Sequence, residues 1–544
     1  MSVVTDSPPT PRAAQPLRGP TWAARVYPAM PRGGWVGWAG PVAMLVVAAL
    51  LRVPKLGQPA DFAFDETYYV KDALSLLRFG TEQRMADDAN TIILNSNGDV
   101  WTVNPFAKGA SYVVHPPFGK WVIAAGEALF GITPSGWRVG VLICGLLAVL
   151  MLARIVRRLT RSNFWGTVAG LLIAVDGMAV VLSRTAVLDG VLMVCALGAF
   201  GALLIDRDVT RRKVARALGP DGDPALLWPR GSSGPPLGVF RGWRMVAAVL
   251  LGLTCGVKWS GLWFVVAFGL LTVLWDLGLR RSLGVAHPWR TTLLRDALPT
   301  AVLMVGIVFV VYLATWTGWF LTDTGYYRDW AASAGASTVP GVPAALRSLW
   351  HYHAEAYRFH TTLKSPHAYA ANAWGWPVQA RPTSFFWSDK LPCGADKCAA
   401  EVLSLGNPII WWAGVLALLH QTWRWATRRD WRAGAVLAGF LAGWAPWLMF
   451  QQRTVFEFYS IAYLPYLIMA LVLSLMAVRG GTTSSPVVSR FGLSDQTRNL
   501  IGIIAVAAFL VLVLAMSWWF YPLATGESIP YSQWNLRMWF PSWV

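Results

Sequence analysis

The sequence is short of charge: only 14% of its 544 residues are Asp, Glu, Lys or Arg, against about 25% in an ordinary soluble protein. Set beside 55% hydrophobic residues and a mean hydropathy of +0.45, that shortage excludes a single water-soluble core. Cysteine is scarce too, five in all, so no disulfide framework holds the chain. Cys144, Cys195 and Cys255 fall within apolar runs and read as packing residues. Cys393 and Cys398 lie in the polar stretch LPCGADKCAAE, where a disulfide would suit an oxidising exterior. A metal reading of that pair is weak without a nearby His. The sequence also lacks a GxxxxGK phosphate loop, a sustained dinucleotide-binding pattern and an internal repeat, so no ATP-driven or nucleotide-sugar chemistry is signalled. The Pro-rich beginning contains no apolar core followed by a cleavage site. Residues 1–35 therefore read as a disordered cytoplasmic tail and not as a removable signal.

What is abundant is apolar sequence in runs of spanning length. They occur at about 36–54, 138–156, 165–182, 187–205, 260–278, 298–316, 408–425, 433–450, 461–478 and 499–519, with a shorter one at about 244–257. The net charge of +18 orients them. Segments on the inferred cytoplasmic side hold 27 Lys and Arg against 9 Asp and Glu, while the outer segments nearly balance at 19 and 18. This is the positive-inside bias, and it removes a nucleic-acid footprint from consideration. The stretch PPFGKWVIAAGEALFGI (116–132) is apolar but short, and counting it as a span would put RIVRRLTR outside. It reads as an interfacial helix on the outer leaflet, with Lys120 as a snorkelling anchor.

The expected fold is an all-α polytopic membrane protein of about eleven transmembrane helices, occupying residues 36–544, with interfacial helices in the first outer loop. Its N-terminus is cytoplasmic. Two large outer loops lie at about 55–137 and 317–407, and an outer tail runs from 520 to 544. Chemistry on water-soluble partners belongs in those loops, because irregular backbone is not tolerated facing lipid. Of the 32 tryptophans, Trp316, Trp319, Trp411, Trp412, Trp518 and Trp519 read as interfacial anchors.

The strongest chemical element is DFAFDETYYVKDA, where Asp65 and Glu66 are adjacent just after the first span. One carboxylate can take the proton of an attacking hydroxyl while its neighbour orients the site; a solvated acid pair is the plain alternative. His115, in VVHPPFGKW, stands at a proline-stiffened helix entry as a supporting residue or a structural hydrogen-bonder. In LSRTAVLDG, Arg184 and Asp189 face each other across a short outer turn. A salt bridge or helix cap fits them, and so does a phosphate held by the guanidinium fork. Lys258, in TCGVKWSGLW, and Arg138, at the start of the second span, lie at the same interface. Arg138, Arg184 and Lys258 beside a carboxylate pair suit a phosphate leaving group next to a general base. A carboxylate pair can also bind a divalent cation. The lack of a His/Cys ligand set near Asp65 favours chemistry with no metal and no cofactor.

These residues, in this order, resemble the protein O-mannosyltransferase family of the membrane-embedded GT-C glycosyltransferases. The family pattern appears as Asp65-Glu66, His115-Pro116-Pro117, Ser183-Arg184…Leu188-Asp189 and Val257-Lys258-Trp259, with ANAWGWP (371–377) and RTVFEFYSIAYLP (453–465) also similar. The ending MWFPSW and the Ala/Arg/Trp-rich composition look like the actinobacterial branch. The resemblance implies a polyprenyl-phosphate-mannose donor and Ser/Thr acceptors on exported proteins, met at the export machinery of the plasma membrane. It also implies inversion at the anomeric carbon. It makes Asp65 the general base, with Glu66 supporting, Arg138, Arg184 and Lys258 on the donor phosphate, and His115 and Asp189 as supports. One departure stands out: eukaryotic members carry a β-trefoil domain in the loop that here is 317–407, too short for one. A glycolipid or cell-wall glycan acceptor is the alternative. A transporter fits less well, because the polar residues gather at one interface and no repeat is present.

Overall fold

Apolar runs become helices because, away from water, every backbone N–H and C=O must be satisfied within its own segment. A computed structural model describes residues 21–480 and 495–544, apart from positions 32, 97, 220, 221, 230, 231, 334, 335 and 337. The chain enters through α1 (Val36–Arg52) and a first loop holding α2 (Glu66–Phe79), the hairpin β1 (Gln83–Met85) and β2 (Phe106–Ala110), and α3 (Phe118–Phe130). There follow α4 (Pro134–Thr160), α5 (Asn163–Val175), α6 (Gly177–Arg184), α7 (Asp189–Leu218), α8 (Gly242–Val257), α9 (Gly261–Ser282) and α10 (Pro288–Thr315). The second loop contains α11 (Ala344–Thr362), β3 (Ser384–Ser388) and β4 (Cys398–Leu403). The remainder is α12 (Pro408–Arg428), α13 (Trp431–Trp444), α14 (Leu464–Arg479), α15 (Asp495–Thr525) and β5 (Ser528–Pro530).

By length and composition, α4, α7, α9, α10 and α15 are long and apolar enough to cross a membrane. The α5–α6 pair, bent by 63°, makes a sixth if it is one span; α1, α8 and α14 are apolar but shorter. With α12 and α13, these elements lie on the apolar runs of the sequence. Helix α7 is the centre of the bundle, packed against α4, α8 and α9 and buried nearly all round, as a helix without a polar face must be.

The α5–α6 bend has a local cause. Asp176 interrupts the run and caps α6, accepting from the Ala179 N–H at 3.0 Å. The same carboxylate accepts from Asn407 N at 3.0 Å and Trp411 Nε1 at 2.9 Å, which ties the break to the start of α12. Gly177 permits the close approach, since a Cβ there would stand 2.3 Å from the Leu405 carbonyl oxygen.

Several expectations are corrected here. Helix α3 packs along α4, so closely that a Cβ on Gly126 would come within 2.6 Å of the Gly136 carbonyl oxygen. Lys120 is not a snorkelling anchor: it is fully buried, ion-paired with Glu82 and 3.6 Å from Asp72. Trp316, Trp319 and Trp411 are core residues, while Trp518 is exposed. The tail from 520 folds back: β5 completes the three-stranded antiparallel sheet β3-β4-β5, and Trp534 and Trp543 bury against it and α15. Cys393 and Cys398 form a disulfide with Cα atoms 5.7 Å apart, while Cys144, Cys195 and Cys255 are free thiols. Most of the tail expected to be disordered, residues 1–20, lies outside the described residues. Immediately after it, the short helix Trp22–Val26 packs through Val26 on the group that includes Val214 and Leu218 of α7.

Candidate active site

The site begins with a strained residue. Phe64 adopts φ of +50°, a left-handed conformation that costs a bulky side chain about 1–3 kcal/mol unless packing fixes it. Its ring stacks on Phe385 at 5.1 Å and meets Phe456, Phe458 and His367 edge-on. Held in this way, Phe64 turns the next residue, Asp65, out at the start of α2, and sends Glu66 inward.

Glu66 is wholly buried and saturated. It accepts from Ala63 N at 2.8 Å, Ala186 N at 2.7 Å, Arg138 Nε at 2.8 Å and Arg138 Nη2 at 2.7 Å. Arg138 spends its other three donors on the carbonyls of Leu56 (3.1 Å), Pro59 (2.9 Å) and Asp61 (2.9 Å). All five guanidinium donors are used, so Arg138 has none left for a phosphate in this structure. The pair is a brace between the first loop, α4 and the turn before α7.

Arg184 departs from expectation in the same way. It does not face Asp189. Its Nη1 donates to the carbonyls of Arg52 (2.5 Å) and Pro54 (2.8 Å), and its Nη2 to that of Lys55 (2.8 Å). Those are carbonyls at and just past the end of α1, which a helix leaves without partners of its own, so the cation serves as their cap. Asp189 instead accepts from Lys258 Nζ at 2.7 Å.

Asp65, half-buried, is the carboxylate left at the opening. Burial pushes it up to about 6; Lys258 pulls it down, Asp189 pushes it up, and the Tyr69 hydroxyl, 3.4 Å from Oδ2, lowers it again. Lys258 also lies 4.8 Å over the Tyr459 ring. His115 does join the site: its ring stacks on His360 at 5.4 Å and lies 6.2 Å from Tyr69. His360 donates from Nε2 to the Val114 carbonyl at 3.0 Å and accepts at Nδ1 from Arg453 Nη2 at 3.1 Å. Burial, then Arg453, pushes His360 down to about 4. Burial, then Lys258, also depresses His115 well below its ordinary value, so both rings are neutral at pH 7. Arg453 Nε is buried with no acceptor among the described residues.

An apolar cavity of about 650 Å³ lies between α8, α9, α10 and α11, lined by Trp259, the chain neighbour of Lys258. Trp259, Tyr312 and His353 form its polar edge. Trp259 Nε1 donates to Tyr312 Oη at 3.0 Å, and Tyr312 donates to His353 Nε2 at 2.5 Å. The tautomer follows from His353 Nδ1, which donates to the Leu349 carbonyl at 2.6 Å. Among the described residues, no group of three or more His, Cys, Asp or Glu is placed to hold a metal ion. Sequence reasoning did not single out Tyr69, His360, Arg453 or Tyr459. Arg453 and Tyr459 do lie in the RTVFEFYSIAYLP segment, so a signal was present for them. His360 had none beyond its amphipathic helix.

Two family models match the chain. One, described as the C-terminal four TMM region of protein-O-mannosyltransferase, covers residues 345–543; the other, dolichyl-phosphate-mannose-protein mannosyltransferase, covers residues 114–213. A polyprenol-phosphate-mannose–protein mannosyltransferase of Mycolicibacterium smegmatis is 38% identical over 517 residues, 93% of each chain. The protein of that name from Mycobacterium tuberculosis is also 38% identical, over 93% of this chain and 92% of its own. That from Corynebacterium glutamicum is 32% identical over 536 residues, covering 96% and 97%. Among solved structures, the S. cerevisiae protein O-mannosyltransferase Pmt1-Pmt2 complex bound to the sugar donor matches with a TM-score of 0.69. That match covers 96% of this chain and 94% of the yeast chain at 13% identity, which makes it a likeness of fold.

Proposed function

The chain belongs to the protein O-mannosyltransferase family, and on that premise we propose that it transfers mannose from polyprenyl-phosphate-mannose to Ser and Thr hydroxyls of exported proteins. The observation that carries the chemistry is a half-buried Asp65, raised to about 6, facing Lys258. Asp65 takes the proton of the acceptor hydroxyl as the oxygen attacks the anomeric carbon from the face opposite the phosphate. The carbon–oxygen bond to phosphate breaks in the same displacement, so configuration inverts, and the leaving phosphate carries off the bonding pair. Its growing charge falls to Lys258 and Arg453, which supply positive charge without a cofactor. Glu66, Arg138 and Arg184 hold the scaffold. The apolar cavity lined by Trp259 suits the isoprenoid tail, which would leave the headgroup at the acid.

In this reading eleven spans cross the plasma membrane, the Arg-rich helix ends face the cytoplasm, and Asp65 works outside, where exported chains emerge from the export machinery. The test is transfer of radiolabelled mannose from polyprenyl-phosphate-mannose to a Thr/Pro-rich peptide by membranes containing wild-type protein or Asp65→Asn. Label on the peptide with wild type alone supports the reading. Label on lipid or glycan but not peptide changes the acceptor class, and transfer by Asp65→Asn at the wild-type rate removes the base.

A further inference from the structure

The end of the bundle away from Asp65 carries a cluster that mannosyl transfer does not use. Arg207 lies 18 residues along α7 from Asp189, about 27 Å at 1.5 Å per residue, which reaches the opposite membrane interface. Asp208 accepts from Arg158 Nη1 at 2.8 Å and Arg161 Nη2 at 3.0 Å, and lies 3.7 Å from Arg207 Nη1. Arg211 also bears on Arg207 and Asp208. The other charges close by are committed elsewhere. Arg432 is paired with Asp430, while Asp276, which faces Arg211, is bound by Arg241 and Arg244. Three guanidiniums, those of Arg158, Arg161 and Arg207, therefore share one carboxylate with Arg211 close by, and the carbonyl end of α4 adds only about half a negative charge.

The hydrogen bonds are unbalanced as well. Arg207, with a side chain 7% exposed, is stacked 3.4 Å over the Trp431 ring and 5.7 Å from Trp275. Its Nε, the Nη1 of Arg161 and the Nε1 of Trp275 are buried donors with no acceptor among the described residues. Three such donors beside an uncompensated positive charge call for an anion rich in oxygen. A guanidinium fork matches phosphate, and tryptophans at this depth are at home beside headgroups. The Arg158 and Arg161 side chains reach the surface, being 25% and 20% exposed.

We propose that Arg161, Arg207 and Trp275 form a binding site for a phosphate group, carried by an anionic phospholipid of the leaflet opposite the active site. The inference does not rest on the transfer reaction. It is tested on full-length protein purified in a zwitterionic detergent, by titrating phosphatidylglycerol, phosphatidylcholine and inorganic phosphate under native mass spectrometry. Phosphatidylglycerol should bind wild type about tenfold more tightly than phosphatidylcholine, and Arg161→Gln should lose about that factor, the lower end for a charge-assisted bond. Trp275→Phe removes the N–H together with part of the indole, so it should weaken phosphatidylglycerol severalfold, with thermal stability measured alongside to separate lost packing from the lost donor. Inorganic phosphate that competes with phosphatidylglycerol at equal affinity would keep the phosphate site and make its occupant a soluble ion. If both variants bind phosphatidylglycerol as wild type does, or if wild type prefers neither lipid and ignores phosphate, the proposal is wrong.

Discussion

The pH dependence of transfer offers a sharp test of the assignment of Asp65. A general base acts only when deprotonated, so with Asp65 near 6 the value of kcat/KM should be flat in alkali and fall as pH drops through about 6. Between pH 7 and pH 5 the ionised fraction goes from roughly ten in eleven to one in eleven, a tenfold loss of rate. The neighbouring histidines cannot imitate this limb, because His360 sits at about 4 and His115 well below its ordinary value. Asp72 is a real rival, since burial raises it to about 6 as well. The two carboxyls answer to different cations, however. Lys258 stabilises ionised Asp65, whereas Lys120 and Lys71 do so for Asp72. Lys258→Met should therefore lower the rate and also move the midpoint upward, because the ionised form of Asp65 loses its supporting charge. The assay is initial-rate label transfer at subsaturating donor from about pH 4.5 to 8, with unfolding followed at each pH. A midpoint near 4, or one that Lys258→Met leaves in place, would refute the assignment.

Other substitutions separate scaffold from site. Arg138→Met strands Glu66 as a buried, uncompensated charge and should cost about 3–5 kcal/mol in thermal unfolding; normal stability with weakened donor use would restore Arg138 to the phosphate. Arg184→Ala removes three charge-assisted bonds to carbonyls, a loss of about 2–4 kcal/mol, while the folded fraction keeps its donor KM. Arg453→Ala should do the reverse, raising donor KM with little change in stability. Phe64→Ala releases the strained turn, and a displacement of Asp65 by about 1 Å would lower kcat about a hundredfold while Phe64→Tyr stays near wild type.

Much of the fold was legible because lipid leaves few options: a long apolar run must be a helix. The same logic misjudged the buried tryptophans, since an apolar ring looks alike whether lipid or protein covers it. In the site, Asp65, Lys258 and His115 come together as their positions suggested. Glu66, Arg138 and Arg184 do not join them, because sequence position reveals which residues lie at one depth but not which atoms they spend their hydrogen bonds on. His360 was out of reach for another reason, and Arg453 was signalled only by the segment around it. They are 245 and 338 residues from His115 along the chain, and only the return of α11 and the α13–α14 connection brings them there.

The cations themselves explain the division. A guanidinium has five donors in a rigid fork, and once a protein fills most of them the group is too deeply invested to exchange partners. Arg138 uses five and Arg184 three, on carboxylate and carbonyl oxygens of the first loop and the end of α1. Lys258 is a point charge tied by one bond to Asp189, and Arg453 gives one to His360 while its Nε remains without an acceptor among the described residues. A leaving phosphate needs cations that can take on an oxygen without dismantling the fold, which is why the proposed assignment rests on these two. Lys258 also bears on Asp65, so charge that builds on the phosphate draws the ammonium's field away from the base. With Asp65 as the proposed base, it would then hold the acceptor's proton more firmly as the donor bond breaks, coupling the two halves of the displacement through a single ammonium group.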